Sequence, residues 1–342
     1  MKALYFERHG DLDVLKFGEV PKPAPGKGEV LIRVRACALN HLDVWVRRGW
    51  PGLKLKMPHW CGADVAGDIV KLGEKVTGWR IGQKVVVDPG VSTIDDEFTR
   101  RGQDSLSPGY QILGEHLRGG AAEFVKVPAR NLVAMPARLD YPAAAAPLLV
   151  GLTAWRMLIH RAGLRAGESV LIVGAGGGVN TMAIQVAKLA GARVFVVAAD
   201  GQKAARALEL GADIVLDRSE VNWVKEIYRL TQKKGVDVVV DNVGRATILN
   251  SMQAAGRDGR IVIVGNTSGP LAEVDLRFIF AKQIRLIGST MGTHRDFTEV
   301  TSLLWSGRLQ PVIDRVMPLK AGVEAYAVME QGDFFGKLVL TP

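Results

Sequence analysis

The chain has 342 residues, 48% of them hydrophobic, and a formal net charge of +9, which allows a packed core without disulfides and favours an anionic ligand or substrate. Its two cysteines, Cys37 and Cys61, exclude a disulfide framework and indicate a reducing compartment, so we expect a cytoplasmic protein. We expect no apolar run long enough to span a bilayer and therefore no membrane partner. Lysine and arginine are scattered along the chain, which disfavours nucleic acid as a partner.

The N-terminal part has short apolar runs broken by Gly and Pro, a pattern that predicts an irregular β domain up to about residue 150. Strands are expected at 30–34, 65–70 and Lys84–Val87. The last fifty residues return to a mixed character and end in a short strand at 336–340.

The central part alternates strands with helical segments, which predicts a doubly wound parallel sheet with helices on both faces. The expected strands are Ser169–Val173, Arg193–Ala198, 213–216, 236–240, 260–264 and 284–287. The fold class is therefore α/β.

A glycine-rich turn joins the first of these strands to a helical pattern. Small residues in such a turn let the backbone approach a pyrophosphate, and the N–H groups that begin the helix point at it. The turn residues predicted to bind the cofactor are Gly174, Gly176, Gly177, Gly178 and Val179.

The end of the second central strand bears on the choice of cofactor. An NAD site carries an acid about 20 residues after the glycine turn, but that place falls at Ala198, with Asp200 two residues further on. Lys203 and Arg218 can pair with a 2′-phosphate, so we predict NADPH. The alternative is NADH, with Asp200 on a ribose hydroxyl.

The chain resembles the medium-chain dehydrogenase/reductase family over nearly its whole length. Besides the glycine turn, the matching stretches are 28–34, 38–43, 62–67, 119–124, 152–155 and 336–339. The resemblance implies a GroES-like β domain from 1–151 and 292–342, completed by the C-terminal tail, and a Rossmann dinucleotide-binding domain from 152–291. It also implies a homodimer or homotetramer joined near the edge strand at 284–287. Asn180 stands where family members usually have a third glycine.

The resemblance implies that this chain holds no zinc. The ligand places of the family's catalytic zinc fall at Asn40, Ala63 and about Leu149, and alanine and leucine cannot bind a metal. A lobe that carries a structural zinc in other members is kept, but its four cysteine places are Thr93, Asp96, Thr99 and Ser107. We expect ion pairs of Asp95, Asp96 and Glu97 with Arg100 and Arg101 to hold the lobe.

Hydride transfer without a metal needs an acceptor that is already activated, such as an enone, an enoyl thioester or a quinone, and donors for the carbonyl oxygen. The predicted catalytic residues are Asn40, Asp43, Glu115 and His116. The alternative for Asp43 is a helix cap or a structural ion pair, and Glu115 and His116 could instead lie at a surface. Residues 107–115, 153–158 and 177–185 are similar to crotonyl-CoA carboxylase/reductases.

Further cofactor contacts are expected where the central strands end, and in the tail, as the resemblance also implies. They are Thr153, Asn242, Gly265, Asn266, Thr267, Ser289, Thr290, Met291 and Lys337. We therefore predict an NADPH-dependent, zinc-independent reductase of activated C=C bonds or quinones. The alternatives are an alcohol dehydrogenase and, in another class, an NADP- or RNA-binding protein with vestigial activity.

Overall fold

The structure, a computed structural model, describes residues 1–342 and divides into two compact units. Unit 1 comprises Met1–Leu149 and Gly292–Pro342, and unit 2 comprises Val150–Met291.

The chain forms seventeen strands. They are β1 (Lys2–Tyr5), β2 (Lys16–Glu19), β3 (Glu29–Ala38), β4 (Asp64–Leu72), β5 (Lys84–Val87), β6 (Gly90–Ser92), β7 (Tyr110–Ile112), β8 (Phe124–Pro128), β9 (Leu132–Ala134), β10 (Ser169–Val173), β11 (Arg193–Ala198), β12 (Ile214–Asp217), β13 (Val236–Asp241), β14 (Ala255–Ile263), β15 (Arg285–Gly288), β16 (Ile313–Pro318) and β17 (Lys337–Thr341).

Eleven α-helices accompany the strands. They are α1 (His41–Arg48), α2 (Glu97–Arg100), α3 (Tyr141–Ala145), α4 (Leu148–Trp155), α5 (Gly178–Leu189), α6 (Gly201–Glu209), α7 (Trp223–Leu230), α8 (Ile248–Ala254), α9 (Leu276–Lys282), α10 (His294–Trp305) and α11 (Gly322–Gln331). A π-helical turn at Arg156–Arg161 follows α4.

Unit 1 is built on a seven-stranded sheet in the order β16-β17-β3-β4-β5-β9, with β8 also paired to β3. The C-terminal strand β17 lies antiparallel to β3, and β3 lies antiparallel to β4. Alternating apolar residues of β3, β4, β5 and β8 form one core of the unit. The sheet thus brings the tail of the chain beside its first long strand, as the predicted GroES-like domain requires.

Unit 2 is a six-stranded parallel sheet in the order β12-β11-β10-β13-β14-β15. This is the order of a Rossmann fold, in which the strand order, but not the strand direction, reverses between the first and fourth strands, here β10 and β13. The α/β prediction is confirmed. β14 begins five residues before the predicted residue 260, because Ala255 pairs with Val236 ahead of a bulge.

The expectation that no apolar run is long enough to span a bilayer is wrong for one helical stretch, Tyr141–Arg161, which is long and apolar enough by length and composition. Of its most apolar window, 72% is buried inside the protein. Such burial is typical of a core helix in a soluble protein, where the apolar side chains contact other protein atoms rather than lipid.

Candidate functional site

The glycine turn lies at the carboxyl edge of the sheet in unit 2. After Val173, Gly174 adopts a φ of +98°, a conformation that glycine reaches without strain. Gly177 caps α5 without a side chain, so the first N–H groups of this helix have no intrahelical acceptor. A Cβ added to Gly177 would meet no atom within 4 Å. The turn therefore presents free N–H groups and open space, which suits a pyrophosphate.

Asn180, in the first turn of α5, bridges the two strands where the sheet order reverses. Its Nδ2 donates to the carbonyl oxygens of Val173 at 3.1 Å and Gly174 at 2.9 Å. Its Oδ1 accepts a hydrogen bond of 2.8 Å from Nδ2 of Asn242, which follows β13. Asparagine at this place thus replaces close helix–strand packing with hydrogen bonds that fix the turn.

Three side-chain oxygens of unit 2 are buried without a hydrogen-bond partner: Asn242 Oδ1, Thr153 Oγ1 and Ser289 Oγ. An unpaired buried polar atom costs free energy, so each one needs an explanation. Asn242 and Ser289 follow β13 and β15 at the edge that carries the glycine turn. The residues of unit 2 therefore fit a nicotinamide dinucleotide, with the pyrophosphate on the turn and polar groups of the cofactor on the unpaired oxygens.

Asp200 and Arg218 follow β11 and β12, whose register places Ala198 opposite Asp217. Asp200 Oδ1 accepts the N–H of Lys203 at 2.8 Å and so caps α6. Arg218 donates its backbone N–H to the Ala198 carbonyl at 3.1 Å, and its exposed guanidinium lies near enough to Asp217 to help lower the pKa of that carboxyl. One exposed cation can therefore meet an anion beside this edge, while the carboxylate of Asp200 is engaged locally.

The other predicted cofactor contacts are placed by the ends of the strands. Seven of these residues follow the ends of three neighbouring strands: Asn242 after β13; Gly265, Asn266 and Thr267 after β14; and Ser289, Thr290 and Met291 after β15. Thr153 is instead buried in α4. The backbone N–H of Thr267 donates to the Asn242 carbonyl at 3.3 Å. The structure thus gathers the strand-end positions along one edge.

In unit 1, sheet register brings Asn40, Asp64 and Lys337 together. Asp64 begins β4 and pairs with the last residue of β3, and Asn40 lies two residues beyond that end. Lys337 begins β17, and the carbonyl of the next residue, Leu338, accepts the N–H of Leu39 at 2.9 Å. Three neighbouring strands therefore place an amide, a carboxylate and an ammonium at one end of the sheet.

These three side chains form a buried polar cluster. Lys337 Nζ donates to Asn40 Oδ1 at 2.5 Å and to Asp64 Oδ2 at 2.9 Å. Asn40 Nδ2 donates to the same Asp64 oxygen at 3.0 Å, and the N–H of Leu149 donates to Asp64 Oδ1 at 2.7 Å. Lys337 is only 3% exposed and Asp64 is fully buried. We name this group the Lys337 cluster.

The Lys337 cluster fixes the orientation of Asn40 and leaves donors unused. Because an ammonium only donates and a carboxylate only accepts, Oδ1 of Asn40 must face Lys337 and Nδ2 must face Asp64. An amide nitrogen carries two hydrogens and an ammonium three, so one N–H of each remains. Burial raises the pKa of Asp64, while the Lys337 charge and hydrogen bond oppose that rise.

Asp43 holds two backbone segments together beside this cluster. Its Oδ2 accepts the N–H of Asn40 at 2.7 Å, and its Oδ1 accepts the N–H of Gly62 at 3.1 Å. Burial raises the pKa of Asp43 to about 6, although both hydrogen bonds favour the ionised form. Asp43 therefore acts as a helix cap, one of the two alternatives that the sequence offered to a catalytic role. Its carboxylate positions Asn40 at the start of α1.

Glu115 and His116 lie in the loop after β7, which packs on the Gly62 turn. A Cβ added to Gly114 would lie 2.6 Å from the backbone nitrogen of Gly62. Burial raises the pKa of Glu115 to about 7. His116 Nδ1 faces the N–H of Ile112 at 3.2 Å, so its proton is on Nε2, which lies 3.7 Å from Glu115 Oε1. The Glu115 carboxyl group is therefore partly protonated at pH 7.

Unit 1 does not fit a catalytic zinc ion at the places given by the family resemblance. Ala63 and Leu149 have no donor atom, and a catalytic zinc needs three protein ligands. The Lys337 ammonium already faces the carboxylate of Asp64 and the carbonyl oxygen of Asn40. A positively charged side chain thus stands where a metal would need ligands.

The lobe predicted to have lost a structural zinc is held by hydrogen bonds. Asp96 accepts from Thr99 N at 2.8 Å and from Ser107 Oγ at 2.6 Å, and Thr99 Oγ1 accepts from Asp96 N at 2.8 Å. Thr93 Oγ1 donates to the Gly109 carbonyl at 2.8 Å. All four former cysteine places therefore take part in hydrogen bonds that close the lobe.

The ion pairs expected in this lobe involve two of the three predicted acids. Asp95 pairs with Arg100 at 3.2 Å and Glu97 with Arg101 at 3.6 Å, all exposed. Asp96 makes no ion pair, because its carboxylate caps α2 and accepts from Ser107. Hydrogen bonds therefore hold the lobe more than charge does.

Sequence reasoning misses Asp64 as a site residue. The available signal was a carboxylate at the head of an apolar strand, followed by a run of β-branched and small residues from Val65 to Gly67. The same reasoning expected Lys337 to reach the cofactor. The structure instead engages its ammonium with Asn40 and Asp64, because β17 pairs with β3 beside β4.

Comparison with known proteins identifies two family models in the chain. Residues 26–137 match the alcohol dehydrogenase GroES-like domain, and residues 178–306 match the zinc-binding dehydrogenase domain. The first match lies within unit 1, and the second covers most of unit 2 and the start of the second segment of unit 1.

Full-length relatives carry different activities. The chain is 29% identical over 350 residues to the quinone oxidoreductase of Homo sapiens, covering 99% of this chain and 97% of the relative. It is 33% identical over 326 residues to the acryloyl-coenzyme A reductase of Metallosphaera sedula, covering 94% and 95%. A crystal structure described as an NAD-dependent alcohol dehydrogenase is 41% identical, with a TM-score of 0.96 and full coverage of both chains.

Proposed function

The chain belongs to the medium-chain dehydrogenase/reductase family and is an oxidoreductase that uses a nicotinamide cofactor; from this premise, we propose that it is an NADPH-dependent, zinc-independent reductase. Its substrate is an activated C=C bond, in an enone or enoyl thioester, or a quinone. The observation that carries the proposal is the Lys337 cluster, which offers an amide and an ammonium where zinc-dependent relatives need metal ligands.

The Lys337 cluster suits reduction of a conjugated carbonyl compound. When bound, NADPH supplies a hydride. As the β carbon of the substrate gains that hydride, the C=C electron pair shifts and negative charge develops on the carbonyl oxygen. The unused N–H groups of Asn40 and Lys337 are donors for this oxygen, and donors held in place before the reaction stabilise such charge strongly. The buried site adds to the effect, because water is excluded.

A proton must then be delivered to complete the reduction. Glu115 has a pKa of about 7 because it is buried, so a large fraction of it is protonated at neutral pH and can act as a general acid. His116, whose Nε2 lies 3.7 Å from Glu115 Oε1, can return a proton to it. Asp43 positions Asn40 rather than reacting, since both of its oxygens accept backbone N–H groups.

We propose NADPH rather than NADH because the guanidinium of Arg218 is exposed beside this edge, with only the neighbouring Asp217 charge near it, whereas Asp200 is engaged in capping α6. A 2′-phosphate offers Arg218 a bidentate partner. Replacement of Arg218 by Ala is expected to raise the KM for NADPH at least tenfold and to change the KM for NADH less than twofold. Tighter binding of NADH by the wild type would contradict this part of the proposal.

The proposed reaction is tested by NADPH oxidation with untreated and with chelator-treated protein, each offered crotonyl-CoA, a benzoquinone and a simple aldehyde in parallel. Turnover of the thioester or the quinone, with the aldehyde inert, is the expected result. Turnover of the aldehyde alone, lost on chelation and restored by zinc, would instead assign the protein to the alcohol dehydrogenases. Salt-sensitive RNA binding with no turnover would support a vestigial enzyme.

Variants of Asn40 test the role of the cluster in this reaction. Asn40→Ala removes a proposed donor, and we expect kcat to fall about a hundredfold, as for loss of one oxyanion donor, with little change in the KM for NADPH. Asn250→Ala, a change of the same chemistry in unit 2 at a residue outside the proposed site, is the matched control. An equal loss in both variants would sink the assignment of Asn40.

We also propose a homodimer or homotetramer joined at the β15 edge, in the cytoplasm. β15 is the last strand of its sheet and has an unpaired edge, a feature that favours pairing with another chain. Leu276 and Phe280, on the adjoining α9, are 64% and 70% exposed, and Leu286 of β15 is also exposed. Phe280→Glu is expected to yield monomers in analytical ultracentrifugation. A monomeric wild type would exclude this assembly.

A further inference from the structure

A second cleft in unit 2 lies at the amino edge of the parallel sheet, away from the glycine turn. It has a volume of about 760 Å3, and its lining includes Ser169, Arg193, Asp237 and Gly256. These residues stand at or near the first positions of β10, β11, β13 and β14, which are adjacent in the sheet. The glycine turn follows the last residue of β10, so a ligand of this cleft would not compete with the dinucleotide.

Four cations line the cleft: Arg193, Lys233, Lys234 and Arg257. Arg257 donates to the carbonyl of Ala281 at 2.8 Å. The side chains of Arg193, Lys233 and Lys234 are exposed and make no ion pair within the protein. We name these three residues the amino-edge cations.

The carboxylate of Asp237 does not offset the amino-edge cations by pairing with them. Its Oδ2 accepts from Ser169 N at 2.8 Å and from Ser169 Oγ at 2.7 Å. It therefore joins the starts of β10 and β13. The lining keeps an excess of positive charge that faces an open, concave space.

The loop that presents the two lysines has a defined conformation. Gln232 and Lys233 adopt φ values of +53° and +66°, which are unfavourable for residues with a Cβ. Hydrogen bonds fix them: Lys233 N donates to the Tyr228 carbonyl at 2.7 Å, and Gly235 N donates to Thr231 Oγ1 at 3.0 Å. The lysines are thus held at the rim before any ligand arrives.

Interaction with a helix dipole explains only two of the three amino-edge cations. Lys233 and Lys234 follow the C-terminus of α7, where cations offset the helix dipole. Arg193 begins a different strand, and its guanidinium lies 4.9 Å from the ring of Phe195, which lines the same cleft. A helix dipole therefore does not account for the third cation or for the cavity itself.

We propose that this cleft binds a phosphorylated small molecule of nucleotide size. Its volume lies within the range of about 300–1,000 Å3 that is typical of small-molecule sites. Three cations suit two or more phosphate groups, while the partly exposed Leu230 supplies apolar surface for an attached ring or chain. A concave site of this size favours a small anion over a nucleic acid, which needs an extended charged surface.

The test uses the full-length protein saturated with NADP+, so that the dinucleotide site is filled. Isothermal titration calorimetry with ADP and, separately, with inorganic pyrophosphate is expected to detect one further site per chain. ADP binding tighter than pyrophosphate indicates a nucleotide ligand, and equal affinities indicate free polyphosphate. Both results support the proposed cleft, provided that the variants below weaken the binding.

The double variant Lys233→Glu/Lys234→Glu and the single variant Arg193→Gln are each expected to raise the Kd for ADP at least tenfold. Lys225→Glu, at an exposed position of α7 outside the cleft, changes the charge without touching the site and should alter the Kd less than twofold. Unchanged NADP+ affinity and circular dichroism confirm that each variant is folded.

The proposal is overturned if neither probe binds, or if the control weakens binding as much as the cleft variants do. It is also overturned if a single-stranded 20-nucleotide RNA binds through the amino-edge cations and neither ADP nor pyrophosphate displaces it. None of these outcomes depends on the reductase activity, so failure here and failure of the proposed function are distinguishable.

Discussion

Unit 1 contains two places at which the family resemblance locates zinc, and the structure fills them in different ways. At the catalytic place, the Lys337 cluster puts an ammonium between a buried carboxylate and an amide. In the lobe, Asp96 accepts hydrogen bonds from Thr99 and Ser107 beside solvent. Both arrangements link groups from separate parts of the chain, but only the first confines charge to the interior.

The difference follows from the surroundings of each place. A buried charge needs an opposite charge and hydrogen bonds, because little water reaches it. An exposed loop needs only enough hydrogen bonds to remain closed, and water can satisfy the rest. The cluster is therefore expected to control both stability and chemistry, whereas the lobe contributes a modest amount of stability alone.

The strongest test of this contrast removes the ammonium. In Lys337→Met, Asp64 keeps a buried charge without its partner, so we expect the free energy of unfolding to fall by about 3–5 kcal/mol. Urea unfolding followed by fluorescence measures the change. In the double variant Lys337→Met/Asp64→Asn, the side-chain amide of Asn40 is free to rotate. Its Oδ1 can then accept a hydrogen bond from the amide introduced at position 64. This double variant should regain at least half of the loss; no recovery would mean that packing, not charge, dominates the site.

Glu115 extends the comparison from stability to catalysis. With a pKa of about 7, it loses its proton as the pH rises through neutrality, so kcat should fall between pH 6 and 8. Glu115→Gln cannot donate this proton, and we expect a loss of about a hundredfold and a flat profile over the same range. Glu123→Gln, in the same unit, is the control. A wild-type profile that stays flat would remove Glu115 as the general acid.

Asp43 provides a pH test of the buried site itself. Its pKa is raised from 3.8 to about 6, so the folded protein holds a proton that the unfolded chain has lost. The contribution of Asp43 to the free energy of unfolding is therefore present below about pH 4, declines as the pH rises to about 6, and stays constant above, a change of about 3 kcal/mol.

The measurement compares the stability of wild type and Asp43→Asn across this range, because asparagine does not titrate. The free energy of unfolding of the wild type minus that of the variant should decline from pH 4 to 6. The hydrogen bonds that the variant loses add only an offset that does not depend on pH. A difference that rises over this range would indicate a lowered pKa and contradict the burial argument.

The smallest expected effect concerns the lobe. Asp96→Ala removes the cap of α2 and the Ser107 contact, and we expect a loss of about 1 kcal/mol in the free energy of unfolding. Asp95→Ala, which removes only an exposed ion pair, should cost less than about 0.5 kcal/mol. Equal losses in the two variants would contradict the view that hydrogen bonds, rather than charge, close the lobe.

Local pattern was sufficient for much of the fold. β10 and β11 begin and end where their apolar runs predict, and α5 begins within the glycine turn. Such features depend on neighbours along the chain, through side-chain alternation and the conformational freedom of glycine. The start of β14 was missed, because Ala255 and Gly256 join the sheet through pairing with β13 rather than through an apolar pattern of their own.

By itself, the sequence determined the α/β class, the glycine turn, the family and the absence of zinc-binding side chains at Ala63 and Leu149, since these are properties of residue type and short spacing. Only the tertiary structure decided that Lys337 pairs with Asp64, 273 positions earlier in the chain. It also decided that Asn180 bridges β10 and β13. Contacts of this kind depend on strand order and register, which bring distant residues together and which no local pattern specifies.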